Sequence, residues 1–174
     1  MTKKIGTDWF GNKFGMQAGL YAVEPFGVDG FDTRVEYTRI KPWVYTHKYP
    51  INTYTHYGDG IGYFSGPNSD VFFMEMRKRF TRWFETGFIF TKLRHGANFP
   101  DRNIGEDILQ GKQPEGTTSS LFLDGIRTDT MSAGFDVFLE IARNLFFQGG
   151  YALEKKSGER MNVFNLSLAL NGVE

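Results

Sequence analysis

The 174-residue chain has no cysteine, no net charge and no long hydrophobic run, and each absence excludes a class of protein. Without cysteine there is no disulfide framework and no cysteine-based zinc or iron–sulfur site. Twenty acidic and twenty basic residues cancel, which argues against a general nucleic-acid binder. Because no stretch reaches about 18 consecutive apolar residues, a transmembrane helix is excluded. The start of the chain lacks the apolar region and cleavage site of a signal peptide, so we expect a cytoplasmic chain or a piece of a longer one.

Aromatic residues and glycine are abundant instead. Phe, Tyr and Trp make up 17% of the chain, 18 residues are Phe and 21 are Gly, whereas only six are Pro. This composition argues against disorder. Helical periodicity is nearly absent, and apolar and polar residues alternate with a period of two, as in β-strands. Residues 161–171 alternate most clearly, with Phe164, Leu166, Leu168 and Leu170 on one face.

The alternation predicts seven strands in an all-β fold, an antiparallel up-and-down meander that occupies residues 1–174 as a single unit. The strands are expected at 14–24, 31–44, 70–80, 83–94, 121–142, 145–155 and 160–171, the fifth with a break near Asp124-Gly125. Their connections are mostly short, but those at 45–69 and 95–120 are long. Long loops at one end of the strands and tight turns at the other are typical of outer-membrane β-barrels.

Charge on the opposite face of the strands favours the same interpretation. That face carries acids and bases together, namely Arg34, Glu36, Glu75, Arg77, Glu85, Asp136 and Glu140. A Phe-rich face towards lipid and a charged face towards a wet lumen would explain both patterns. The alternative is a half-buried soluble sheet whose charged face meets ordinary solvent.

The strand count indicates which part of a barrel the chain forms. With tight turns in the periplasm, the C-terminus of a seven-stranded meander lies in the periplasm and its N-terminus lies outside. A complete bacterial barrel has an even number of strands. We therefore expect the chain to be the C-terminal part of a larger barrel. The alternative is that the true number of strands is one more or one fewer than seven.

One segment, Lys41–Gly62, concentrates aromatic and histidine side chains. Flat rings cover the C–H faces of sugars, while Tyr hydroxyl and His N–H groups reach sugar hydroxyls. An interfacial aromatic belt with a self-packed loop is the alternative. The predicted polysaccharide ligands are Trp43, Tyr45, His47, Tyr54, His56 and Tyr57.

Signals for catalysis, metals and cofactors are weak. His47, His56 and Asp59 fit no compact pattern of metal ligands. Glu75 and Glu85 would face the same side of neighbouring strands, as a glycosidase pair does, but interleaved arginines favour an ordinary charged lumen. We expect no catalytic residue, no metal and no cofactor.

Several local patterns resemble the capsule assembly (Wzi-type) outer-membrane family. Residues Arg34–His47 contain an E-Y-x-R strand and a Y-T/S-H turn, and Asn52–Gly62 follows as a loop similar to N-Y-x-H-Y-G. Phe122–Arg127 and Asn144–Phe147 also look similar. The matching positions are Glu36, Tyr37, Arg39, Tyr45, His47, Asn52, Tyr54, His56, Tyr57 and Gly58.

The resemblance implies a large antiparallel barrel in the bacterial outer membrane. Such a barrel binds surface polysaccharide and helps to hold or assemble the capsule without catalysis. The expected partners are polysaccharide and outer-membrane lipid, with no nucleic acid, and the oligomeric state stays open. Two other functions also remain open, a pore for small solutes and a soluble β-barrel or sandwich enzyme that acts on glycans.

Overall fold

The computed structural model describes residues 6–47, 49–110 and 119–170, and within these ranges the chain forms strands and no α-helix. The described residues include two 3₁₀ turns, at Pro25–Gly27 and Pro50–Asn52. None of the described helical segments has the length and apolar character needed to span a membrane. The strands are β1 (Gly15–Val23), β2 (Phe31–Ile40), β3 (Thr55–His56), β4 (Asp59–Gly60), β5 (Ser69–Thr81), β6 (Phe84–Ala97), β7 (Ile126–Ala142), β8 (Leu145–Lys156) and β9 (Glu159–Leu170).

The seven long strands form one antiparallel meander, in the order β1-β2-β5-β6-β7-β8-β9. The predicted all-β class and the predicted meander are therefore confirmed. Across the described residues the sheet is open, not closed into a barrel, and its edges are β1 and β9.

Two predicted strands were too long. The second ends at Ile40 and not at residue 44, since proline has no N–H to donate and Pro42 is followed by Trp43 with a positive φ of 66°. The fifth begins at Ile126 and not at residue 121. Leu123 and Gly125 have φ values of 59° and 96°, which an extended strand cannot contain.

The long connection between β2 and β5 contains a hairpin that the alternation did not predict. Strands β3 and β4 pair antiparallel, with His56 opposite Asp59. The two residues between them, Tyr57 and Gly58, have φ values of 49° and 88°. Two positive φ values are those of a type I′ turn, whose twist matches that of a hairpin. Strands of two residues are too short for an alternation to be recognised.

The chain divides into two compact units, each with residues from several strands. The loop unit comprises the described residues within Met1–Ala18, Tyr37–Val71 and Leu93–Asp129. The turn unit comprises those within Gly19–Glu36, Phe72–Lys92 and Thr130–Glu174. Among the described residues, the buried apolar side chains all belong to the loop unit: Ile40, Trp43, Val44, Val71 and Ile104.

In the turn unit, the strand register defines two different faces. Leu166 pairs with Gly149, and Gly149 also pairs with Val137, so these residues share a face. The same register places further apolar residues there: Met131, Phe135, Leu139, Leu145, Phe147, Tyr151, Leu153, Phe164, Leu168 and Leu170. The opposite face carries Asp136, Glu154 and Asn165. The alternation predicted for β7 and β9 is therefore present in three-dimensional register.

Candidate functional site

The aromatic segment predicted to bind sugar is divided between the core and the surface of the loop unit. Trp43, one of the predicted sugar ligands, is 2% exposed, so the structure places it in the core and not at the surface. Gly105 covers its indole ring so closely that a Cβ on that glycine would overlap the ring atoms. The amide of Trp43 also donates to the Gly105 carbonyl at 2.8 Å. Trp43 therefore joins the two long connections as a core residue.

Tyr45 is half-buried and packs against Tyr54 and Gly62. Its ring stacks on Tyr54 with centroids 5.6 Å apart and an interplanar angle of 24°. Gly62 lies against the same ring, since a Cβ there would lie 2.5 Å from Cε2 of Tyr45. The Tyr45 hydroxyl oxygen accepts the amide of Tyr63 at 3.2 Å. Of the two stacked rings, Tyr54 is the exposed one.

The unpredicted hairpin displays the most accessible aromatic residue of the segment. Tyr57 lies at its turn and is 96% exposed. The His56 ring meets it edge-on, with centroids 4.4 Å apart. The turn conformation therefore holds His56 and Tyr57 as one projecting aromatic pair.

His47 lies at the surface, beside Tyr49. Its Nδ1 accepts the backbone amide of Tyr49 at 3.1 Å, and the two ring centroids are 5.9 Å apart. The structure therefore leaves five of the six predicted ligands at least partly accessible.

A cleft of about 280 Å³ lies within the loop unit. One wall comes from the aromatic segment and the residues after it, and the other comes from the β6–β7 connection. Its lining is Tyr45, Gly60, Gly62, Tyr63, Phe64, Gly66, Pro67, Glu106, Asp107 and Ile108.

Sequence reasoning missed most of this cleft. Tyr63 and Phe64 directly follow the aromatic segment in the sequence, so the prediction could have included them. In the structure their ring centroids lie 4.7 Å apart, and Phe64 is exposed. Glu106 and Asp107 gave no comparable signal, because they are more than forty residues further along the chain. Only the fold of the two long connections brings them to the aromatic wall.

The charged residues predicted for the lumen lie on one face of the turn unit. The Arg34 side chain contacts the Glu36 carboxylate at 2.8 Å and lies over the Phe73 ring, 5.3 Å from its centroid. Phe73 and Glu75 are two residues apart on β5 and therefore face the same side of the sheet. The Arg34–Glu36 pair and Glu75 thus share one face. Glu140 accepts the amide of Asn144 at the β7–β8 turn.

Arg77 is the centre of this charged face. Its guanidinium donates to Glu75 at 2.8 Å and to Glu85 at 3.2 Å, and it lies 3.8 Å from Asp136. Arg79 contacts Glu85 as well, at 3.2 Å. Most of the charge on this face is therefore compensated locally.

Glycines make room for polar groups on the same face. A Cβ on Gly87 would overlap the Asp136 carboxylate, and one on Gly150 would overlap the side-chain oxygen of Asn165. This face also contains a shallow depression of about 210 Å³, which is lined mainly by small and polar residues of β6 to β9. It is wide enough for water but has few groups that converge on a ligand.

Metal ligands do not converge anywhere in the described parts of the chain. No group of three or more His, Asp or Glu side chains there could hold a metal ion. His56 and Asp59 are neighbours across the hairpin.

Comparison with known proteins adds no relative: no protein-family model, no curated protein and no solved structure matches this chain.

Proposed function

We propose that this chain forms part of an outer-membrane β-barrel whose loops bind surface polysaccharide without catalysis. The observation that carries the proposal is the apolar face of β7, β8 and β9. Phe164 is 76% exposed and Leu166 is 78% exposed, and both belong to a continuous apolar surface over three strands. Exposed apolar patches of this kind mark contacts with protein or membrane. A lipid-facing side of a barrel is apolar in this way, with polar residues on the inward side.

The edges of the sheet support membrane insertion as well. Strand β1 carries no charged residue, and neither does Met161–Leu170 of β9. Soluble proteins protect such edges with lysine, proline, bulges or short strands. In the described long strands, Glu159 and Arg160 at the start of β9 are the only charged residues on an edge strand, so most of both edges is left ready for pairing. In lipid an unpaired edge is not tolerated, so further strands would complete the barrel.

The absence of cysteine makes the membrane part of the proposal directly testable. Single cysteines replace Leu166 and Ser167, neighbours on opposite faces of β9, in the purified chain bound to phospholipid vesicles. We expect a water-soluble maleimide to label Ser167→Cys fast and Leu166→Cys at least about tenfold more slowly, since lipid excludes the reagent. Equal labelling of the two variants, or a chain that stays in the supernatant, would contradict membrane insertion.

Exposed rings of the loop unit support the polysaccharide part. Tyr54, Tyr57 and Phe64 are all at least half exposed, and Phe64 also lines the cleft. Rings of this kind stack on the C–H faces of sugars, which is the usual way a protein binds a neutral polymer.

Binding is tested with immobilised dextran, chitosan oligosaccharide and polygalacturonate. We expect Tyr57→Ala to weaken binding to whichever polymer the chain retains, by about fivefold to tenfold for one lost stacking contact. Phe26→Ala is the control, because Phe26 is 100% exposed but lies in the β1–β2 turn of the other unit. Failure of all three polymers to bind would refute the polysaccharide function.

A non-catalytic role is supported by the surroundings of the carboxylate pair. Glu75 and Glu85 both accept hydrogen bonds from Arg77. Both carboxylates are therefore engaged with one permanent cation, as expected of a locally compensated charged face. If the chain released reducing ends from a polymer, and Glu75→Gln or Glu85→Gln abolished that release, the protein would be a glycan-active enzyme. The proposed non-catalytic role would then be wrong.

The charged face also favours a second candidate function, a pore. Arg77 and Arg79 are partly exposed on that face, and a lumen with both signs of charge would pass small solutes. Conductance of planar bilayers separates the two functions: channel openings without glycan binding would favour the pore.

A further inference from the structure

The two walls of the loop-unit cleft differ in chemistry. One wall consists of Tyr45, Tyr63, Phe64 and glycines, and is uncharged. The other carries Glu106 and Asp107 next to Ile108. Among the described residues that line the cleft, these two acids are the only charged ones, and no lysine or arginine of that lining compensates them.

Both carboxylates are held in place by neighbouring groups of β6 and of the connection that follows it. Asp107 accepts the Leu109 amide at 2.8 Å and the Gln110 side-chain amide at 2.9 Å. These bonds use one contact for each carboxylate oxygen, whereas an ionised carboxylate has about four acceptor positions. Asp107 therefore keeps capacity to accept a hydroxyl or an ammonium group.

Glu106 is fixed in a similar way on the β6 side of the cleft. One of its oxygens accepts the Asn98 amide at 3.4 Å. The other lies 3.7 Å from Nε2 of His95, a group that carries charge only when protonated. Neither partner is a permanent cation. The negative charge of Glu106 is therefore not neutralised by a permanent ion pair, and it repels or attracts charged groups of a ligand in the cleft.

We infer that the cleft selects neutral and amino sugars and rejects uronate-, sialate- or phosphate-bearing polymers. This inference rests on the proposed polysaccharide function and adds its specificity. Two negative charges beside an aromatic wall repel an anionic unit, attract an ammonium group and accept hydrogen bonds from neutral hydroxyls. Glu106 and Asp107 are the residues that determine this choice, while the rings supply the contact common to all sugars.

The test compares three polymers of different charge on the same protein. Dextran is neutral, chitosan oligosaccharide is cationic and polygalacturonate is anionic. At low salt we expect polygalacturonate to bind at least about tenfold more weakly than dextran, a difference that shrinks as salt screens the charges. Chitosan oligosaccharide should bind at least as tightly as dextran.

The double variant Glu106→Gln/Asp107→Asn removes both charges but keeps an acceptor oxygen at each position. It should raise polygalacturonate binding by about tenfold and lower chitosan binding by a similar factor, as expected for two removed charge contacts. Dextran binding should stay within about twofold, which also reports that the variant is folded.

The possible outcomes separate this inference from the function beneath it. If no polymer binds, the polysaccharide function itself is wrong. If polygalacturonate binds as tightly as dextran and the double variant does not improve it, the function stands and the specificity is refuted. Polygalacturonate binding that requires Ca²⁺ and disappears with a chelator would also refute it, because the two acids would then be cation ligands.

Discussion

The side-chain amide of Asn68 donates a hydrogen bond to the backbone carbonyl of Asp124 at 2.9 Å, across 56 residues of chain. The same amide donates to the Gly96 carbonyl at 2.7 Å, and its oxygen accepts the Leu123 amide at 2.7 Å. Asn68 is fully buried. One side chain thus joins the end of the β2–β5 connection to the end of β6 and to the residues just before β7.

Replacement of Asn68 by alanine should strongly destabilise the loop unit. Three hydrogen bonds of this buried side chain are lost and three backbone groups are left without this partner, which costs about 3 kcal/mol in total. Alanine also tolerates the positive φ of 56° less well than asparagine. Chemical unfolding followed by tryptophan fluorescence measures the change.

Asn103→Ala is the matched control for this variant. Asn103 is partly exposed and makes two hydrogen bonds, to Gly105 and Gln110, within its own loop. We expect a loss of only about 1 kcal/mol, because solvent can replace these partners. Equal destabilisation by the two variants would contradict the larger stabilising effect expected of Asn68.

A second prediction concerns the glycine that covers Trp43. Gly105 has a φ of 90°, and a Cβ there would overlap the indole ring. Gly58 has a nearly identical φ of 88°, but a Cβ on Gly58 would have no other atom within 4 Å. The two glycines therefore separate backbone strain from steric overlap.

Gly58→Ala should cost about 1 kcal/mol, the usual penalty for a left-handed alanine. Gly105→Ala should cost at least about 2 kcal/mol more, because the indole must move out of a packed core. Unfolding curves of both variants check the difference, and a red-shifted Trp emission should accompany Gly105→Ala alone. Closely similar curves would mean that Trp43 moves aside without cost.

A third prediction tests the two faces of β9 with charge. Leu166→Arg puts a cation on the apolar face, and Ser167→Arg puts the same cation on the opposite face. In phospholipid vesicles Leu166→Arg should lose about 2–4 kcal/mol of folding free energy, the range for arginine near the bilayer centre. Ser167→Arg should lose less than about 1 kcal/mol, because that face is not against lipid.

The measurement is refolding into vesicles, followed by urea titration and protection from protease. In water without lipid or detergent the order should reverse or disappear, since Leu166→Arg then reduces self-association of the apolar face. Identical behaviour of both variants in lipid would place neither face against the membrane.

A fourth prediction concerns the ion pairs around Arg77. Arg77→Gln leaves Glu75, Glu85 and Asp136 close together without their shared cation. It should destabilise the turn unit by about 1 kcal/mol at low salt. Arg79→Gln, which removes a single and more exposed contact with Glu85, should have half that effect or less. Melting temperatures at two salt concentrations test this, and both losses should diminish at the higher concentration.

The alternating strands were predictable because alternation is a local property. Phe164, Leu166 and Leu168 are two residues apart, so their common face follows from strand geometry alone. The strand ends were less predictable: Pro42 and the positive φ of Leu123 end the alternation earlier than the apolar residues do.

The candidate site was predictable only in part. Tyr54, His56 and Tyr57 belong to one local segment, and its composition was enough to predict an aromatic surface. Trp43 belongs to the same aromatic segment but is buried, because Gly105 from a distant loop covers its ring.

The sequence by itself determined the fold class, the two unlike faces of the strands and the segment that carries the aromatic rings, since these depend on residues close together in the chain. Only the tertiary structure decided which rings are buried, that Glu106 and Asp107 oppose the aromatic wall, and that Asn68 joins the loops. These features depend on contacts between residues separated by tens of positions. Such contacts are set by the packing of two long connections, for which neighbouring residues carry no signal.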